Sequence, residues 1–372
     1  MKKILLLLVA VFAFISNINA QTWNMVVTHK DGTVQVIKVS DVKNVTFQLP
    51  DQNADQVIIK ELYTTGVPIE NDPKNFFQMD KGFILYNNGG KTAVISNLAI
   101  GILDPYNAQS VANAWYGTGA TEPSYVSQGW VPAACGIWYF PNSLIIEPYS
   151  QVVISCMGAI DNTKTYPQSI NYANKDYYTM YDPESGFKNP KYYPTPADVI
   201  PTSQYLKAVE YGQANAWPLS VTSPGFFIFQ TKNTTPAAFA NDASNITYAP
   251  GKAQNKINAV LKVPTDWIID GVEVYEKINE SKSKKRFGSD VDAGYVMQTV
   301  KLGHSVYRNV DVEATKKIEG NTAKLVYNYQ YGADPSHIDA EASMKNGAKI
   351  VYMDTNNSTS DFHERKQFSL RD

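Results

Sequence analysis

Asp354-Thr-Asn-Asn-Ser-Thr-Ser-Asp-Phe362 follows directly on the apolar run Ala348 to Met353, and this juxtaposition decides the fold class. Asp, Asn, Ser and Thr side chains hydrogen-bond neighbouring backbone amides, so a string of them after a strand-like run reads as a bend that closes a sheet. The stretch speaks of architecture rather than chemistry. Asp354, Asn356 and Ser358 alternate as in a calcium loop, yet Thr359 stands where that loop turns on Gly and Arg365 where it needs a bidentate Glu. A turn held by its own side chains is the expected role.

Short apolar runs punctuated by turn residues recur upstream: Val57 to Tyr63, Lys81 to Gly90, Thr92 to Ile102, Gly136 to Phe140, Leu144 to Glu147, Gln151 to Met157, Gly225 to Gln230, Lys256 to Val263, Val272 to Tyr275, Tyr295 to Val300 and Ala323 to Tyr329. This spacing predicts an all-β fold, an antiparallel β-sandwich of immunoglobulin type. Helical character is confined to Ala197 to Ala208 and Asp339 to Asn346. At the front, Asp31-Gly32 between alternating runs predicts a hairpin, with Val42 to Phe47 as a third strand. Met25, Val27, Val34, Val36, Ile37 and Val39 are expected on one apolar face, which a lone hairpin cannot keep dry. The domain plan is therefore a small β-hairpin module over residues 21–49 and a main domain over 57–372 against which it packs. Residues 161–217 break the spacing and read as a long irregular insertion. Such a segment is unusual unless it is functional or mobile. Its tyrosines at 166, 172, 177, 178, 181, 192, 193, 205 and 211 argue against disorder.

Lys2 and Lys3 precede an apolar run from Ile4 to Ile15 and a polar stretch ending at Ala20, the layout of a secretory signal over residues 1–20. The run is short of the ~20 residues a membrane-spanning helix needs. Periplasmic or extracellular localisation follows, without a lipid anchor, because no cysteine stands directly at the cleavage region to accept one. Charged residues make up only 18 %, and 24 tyrosines suit an extracellular β-protein. The net charge of −2, from 33 basic against 35 acidic residues, argues against nucleic-acid binding. Cys135 and Cys156 are the only thiols of the chain. A bridge between them would close a loop of about twenty residues and contribute ~3 kcal/mol. The alternative is that Cys156 is a small buried apolar residue.

The order of further motifs carries a resemblance. Ile-Ile-Lys-Glu-Leu-Tyr63, then Gly82-Phe-Ile-Leu-Tyr-Asn-Asn-Gly-Gly90, then Trp138-Tyr-Phe-Pro141 before Ile145 to Ile154, resemble the opening strands of lamin-tail domains. Val263-Pro-Thr-Asp-Trp-Ile-Ile-Asp-Gly-Val-Glu273, Val291-Asp-Ala-Gly-Tyr295, Gly303-His-Ser-Val-Tyr-Arg308 and the closing bend resemble a family of secreted Bacteroidetes proteins of unknown function. The resemblance implies a lamin-tail-like, immunoglobulin-like domain in an envelope setting, in service alongside outer-membrane uptake receptors. It carries no catalytic residues.

Candidate sites are few. His29, His304, His337 and His363 are scattered, and neither His-x-x-x-His nor Cys-x-x-Cys occurs, so no metal ligands or cofactors are assigned. Asp266, Asp270 and Glu273 read as solvated carboxylates at a strand edge, and Lys282, Lys284, Lys285 and Arg286 as a solvated loop. Ligand contact is assigned to Tyr172, Tyr177, Tyr178, Tyr181, Tyr192 and Tyr193, because aromatic faces stack on sugars and planar ligands. The expected function is a non-catalytic binding or scaffold protein of the cell envelope. Its partner is an envelope protein or a surface glycan. Haem or metal capture and a carboxylate-dependent hydrolase are the alternatives.

Overall fold

Seven consecutive buried residues, Val57–Tyr63, form the strand around which the main sheet is organised. The computed structural model describes residues 23–43, 45, 50–70, 72–103 and 114–371. The expected secretory signal and half of the expected third strand, Val42 to Phe47, lie outside the described residues. The chain divides into two units, Met1–Gln48 and Leu49–Asp372.

Among the described residues, twelve strands of the second unit form one sheet. In chain order they are β1 (Val57–Tyr63), β2 (Gly82–Asn87), β3 (Leu98–Ile102), β4 (Gly136–Tyr139), β5 (Gln151–Ser155), β6 (Tyr178–Met180), β7 (Tyr205–Glu210), β8 (Gly225–Gln230), β9 (Ile268–Glu276), β10 (Val296–Gln298), β11 (Ser305–Arg308) and β12 (Phe362–Arg365). Across the sheet the order is β10-β9-β8-β3-β4-β7-β6-β5-β2-β1-β11-β12. Pairs β5–β6, β6–β7 and β9–β10 run parallel. The sheet curls until its end strands, β10 and β12, lie against each other.

The protein is thus all-β, but barrel-like rather than a plain sandwich of two facing sheets. The physical reason lies in the tyrosine-rich segment. Mostly irregular, it nevertheless donates β6 and β7 to the middle of the sheet, so the ladder runs on from β5 to β4 without a break. Inside the curl, Phe83, Leu85, Ile100, Trp138, Ile154, Leu206, Phe226, Ile228, Val272 and Val274 belong to one core. Each such side chain contributes roughly 1.5–3 kcal/mol on burial. Outside it, a three-stranded sheet (Trp130–Ala134, Ile246–Tyr248 and Ala259–Pro264) and the helix Pro236–Asn241 help cover β3 and β8. Residues 310–352 cover β1, β2 and β11 through Val310, Ile338, Ile350 and Tyr352.

Two bulges set which side chains reach that cover. Lys60 is the extra residue where β1 pairs with β2, since Ile59 faces Leu85 and Glu61 faces Ile84. Strand alternation therefore changes parity: Val57 and Ile59 point into the core, then Leu62 does. Lys60 and Glu61 both leave the core face. The Lys60 ammonium meets Glu341 at 2.5 Å, while Glu61 accepts from Ser305 Oγ at 2.6 Å and from the Ser369 amide at 3.1 Å. Ile269 is the extra residue between β8 and β9, beside Asp270.

Several elements differ from the sequence reading. Ala197 to Ala208 is not a helix, because Tyr205-Leu-Lys-Ala-Val-Glu210 pairs with β4 as strand β7, turning Leu206 and Ala208 to one core and Val209 to another. Ala323 to Tyr329 and Ala348 to Met353 each make a single bridge, Tyr327 to Ile338 and Tyr352 to Val310, instead of a strand. Asp339 to Asn346 does hold a helix, Ala340–Lys345, capped by the Asp339 side chain. In the first unit, Asn24–Thr28 pairs with Val34–Lys38 around Asp31-Gly32. Its register places Val26 opposite Val36 and Met25 opposite Ile37, so the apolar residues split between both faces rather than sharing one.

Candidate binding site

The acidic and basic clusters of the sequence turn out to be internal ties. Asp266 alone is exposed, paired with Lys232 at 2.9 Å. Asp270 and Glu273 are buried, not solvated. Glu273 binds Arg286 at 2.8 Å and Lys285 at 3.0 Å, so Lys285 and Arg286 are not a solvated loop. Burial pushes the Glu273 carboxyl up, but these two cations outweigh it and hold the group below its usual range. The closing bend is held by side chains as expected. Asp361 accepts from the Thr355 amide and hydroxyl, each at 2.7 Å, and Ser358 donates to Asp292 at 2.7 Å. Among the described residues no group of three or more His, Cys, Asp or Glu is placed to hold a metal.

His304 Nδ1 lies 2.8 Å from a carboxylate oxygen of Glu364. Burial would raise the Glu364 carboxyl, but hydrogen bonds from His304, Lys277 and Thr299 hold it at about 2. His363 is buried with its Nδ1 2.7 Å from Asn309 Oδ1 and its Nε2 2.7 Å from the Tyr329 hydroxyl. Because Asn309 uses its amide nitrogen on the Ser360 carbonyl, its oxygen accepts, and Nδ1 carries the proton. Cys135, at φ 62, and Cys156 are not joined by a disulfide. Burial raises the Cys156 thiol.

The tyrosines of 161–217 sort by burial. Tyr172 is sealed, donating to the Asp80 carbonyl at 2.7 Å, and the buried Tyr193 hydroxyl accepts from the Trp217 amide at 3.0 Å. Tyr177 packs beside Tyr172, and Tyr192 against the main core. Tyr178 meets Phe140 edge-on at 5.3 Å, and Tyr166 stacks on Phe77. Tyr181 takes a different place. Its ring stands 5.5 Å from that of Tyr205 at 80°, and both line an open depression of about 320 Å³.

Three turns meet there: Pro141-Asn142 after β4, Tyr181 to Glu184 after β6, and Thr202-Ser203 leading into Tyr205 at the start of β7. Asp182 pins the middle turn to β7. Its carboxylate accepts from the Ala208 amide at 3.0 Å and from Lys207 Nζ at 3.0 Å. Glu184, on the rim, lies 3.4 Å from the same ammonium and is 85 % exposed. The sequence reading found Tyr181 but not Asn142, Glu184 or Lys207. Two proline turns, Pro141 and Pro183, next to strand-ending aromatics were the available signal.

Fold and depression together define an all-β protein with a curled, nearly closed sheet and an aromatic surface site. Residues 147–324 match the model of a family described as a protein of unknown function, DUF4876. The chain is similar to the crystal structure of a DUF4876 family protein from Bacteroides thetaiotaomicron VPI-5482. The identity is 20 % over 91 % of this chain and 80 % of that one, with a TM-score of 0.58. That likeness speaks to the fold alone, and neither comparison names a lamin-tail domain. No curated protein matches the chain.

Proposed function

We propose that this chain is a non-catalytic binding protein of the cell envelope, exported by its N-terminal segment and serving nutrient uptake at the outer membrane. The Tyr181–Tyr205 depression is the observation that carries this reading. It is open and lined by two tyrosine rings beside polar side chains, with Glu184 as its lining carboxylate and Asp182 tied to backbone. Such a surface suits reversible contact better than a reaction that requires exclusion of water. The lamin-tail-like motifs upstream support an extracellular setting, and among the described residues no helix is long and apolar enough to cross a membrane.

A thermal-shift series over glycans, haem and divalent metals tests the reading, since a ligand at 100 times its dissociation constant adds about 2.7 kcal/mol. Stabilisation by a glycan, lost on Tyr181→Ala, supports it. A haem or metal response that survives Tyr181→Ala moves the function elsewhere, and catalytic turnover of any glycan ends the non-catalytic reading.

A further inference from the structure

Resting on the reading of this depression as a binding site, we propose that its ligand is an uncharged pyranose unit within an oligosaccharide, stacked on the Tyr181 and Tyr205 rings. A pyranose has apolar C–H faces and a girdle of hydroxyls that each donate and accept. Two tyrosine rings at 80° offer a face and a flanking wall for the first requirement. Asn142, Thr202 and Ser203 supply groups that both donate and accept, Glu184 accepts, and Lys207 donates.

Charge narrows the class. Lys207 is already engaged by the buried Asp182 and by Glu184, so its charge is spoken for, and Glu184 is the carboxylate that lines the depression. A sulfated or uronic sugar would meet repulsion there, and a neutral one would not. Shape points the same way. Pro141 and Pro183 fix the backbone of two of the turns, so little ordering entropy is lost on contact. The open form admits an internal unit of a chain whose neighbours run out along the surface.

The test is calorimetric titration of the full chain with neutral hexasaccharides of the gluco, manno, xylo and galacto series. Heparin oligosaccharide, polygalacturonate and a proline-rich peptide serve as contrasting probes. At least one neutral series is expected to saturate. Tyr181→Ala and Tyr205→Ala each weaken it tenfold or more, and Tyr181→Trp retains binding. Unchanged melting of these variants separates lost contact from lost fold. Binding of the peptide but no sugar, lost in the same variants, overturns the sugar assignment and leaves the site standing. Preferential binding of an anionic probe overturns the charge argument. Silence from every probe removes both the sugar assignment and the binding reading beneath it.

Discussion

Replacing Arg308 with Met would remove the side chain that does the work of a missing strand. Beyond its pairing with β11, the Ile59 amide of β1 donates to Asp270 Oδ2 at 2.6 Å, and the Ile59 carbonyl accepts from Arg308 Nε at 2.9 Å. Arg308 also reaches Asp270 at 2.5 Å, Asp354 at 3.1 Å and Asp361 at 3.7 Å. Burial opposes its charge, yet the three carboxylates outweigh burial and hold its proton more tightly than usual. Arg308→Met leaves Asp270 and Asp361, both buried, without their counter-charge, so the cost is that of a broken buried pair, about 3–5 kcal/mol. Spread over the unfolding entropy of a domain this size, the loss lowers the melting temperature by about 4–7 °C.

Asp270→Asn is milder, about 1–2 kcal/mol, because its amide oxygen still accepts from Ile59 and Arg308 keeps two partners. The double variant therefore falls short of the sum by 1.5 kcal/mol or more. Urea denaturation followed by far-ultraviolet circular dichroism measures all three. A loss under 1 kcal/mol for Arg308→Met, or additivity within 0.5 kcal/mol, would refute the role assigned to this clamp.

Three further outcomes follow from local geometry. Burial and the nearby Arg365 depress His363 to about 3, from an unfolded value near 6.5. Its contribution to stability is therefore present above pH 6.5 and lost as pH falls toward 3, at about 1.4 kcal/mol per unit within that window. His363→Gln should remove about one proton from the slope of stability against pH between 4 and 6, and an unchanged slope contradicts the neutral assignment. Gly82→Ala would drive a methyl into the Tyr172 hydroxyl and within 2.9 Å of the Ile154 carbonyl, costing about 1–3 kcal/mol by denaturant midpoint. Trp217→Phe deletes the bond from Nε1 to the buried Gly136 carbonyl at 2.9 Å. A loss of about 1–3 kcal/mol is expected, and a neutral result shows that the carbonyl finds another donor.

Much of the sheet was readable because its strands are locally self-evident. Gly225–Gln230 matches its run residue for residue, and Val57–Tyr63 likewise, since unbroken apolar character needs no context. Tyr178–Met180 and Ser305–Arg308 were missed. They are short and become strands only because a neighbour offers a free ladder edge. The buried charges misled for the same reason. Asp270 looks like a surface carboxylate until a partner 38 residues away is brought beside it. At the candidate site, tyrosine density pointed to the segment that holds Tyr181 and Tyr205 without ranking its members, because burial separates Tyr172 from Tyr181 and burial is set by the whole fold.

Ile59 with Asp270, across 211 residues, ties the two flanks of the curled sheet together, and Glu61 with Ser369, across 308, ties β1 to the segment after β12. Loop closure on that scale slows folding, because the entropy of the intervening chain is lost before the contact forms. Residues as far as Ser369 must therefore have been made before both ties can form. Until then a nascent copy remains a threadable polymer.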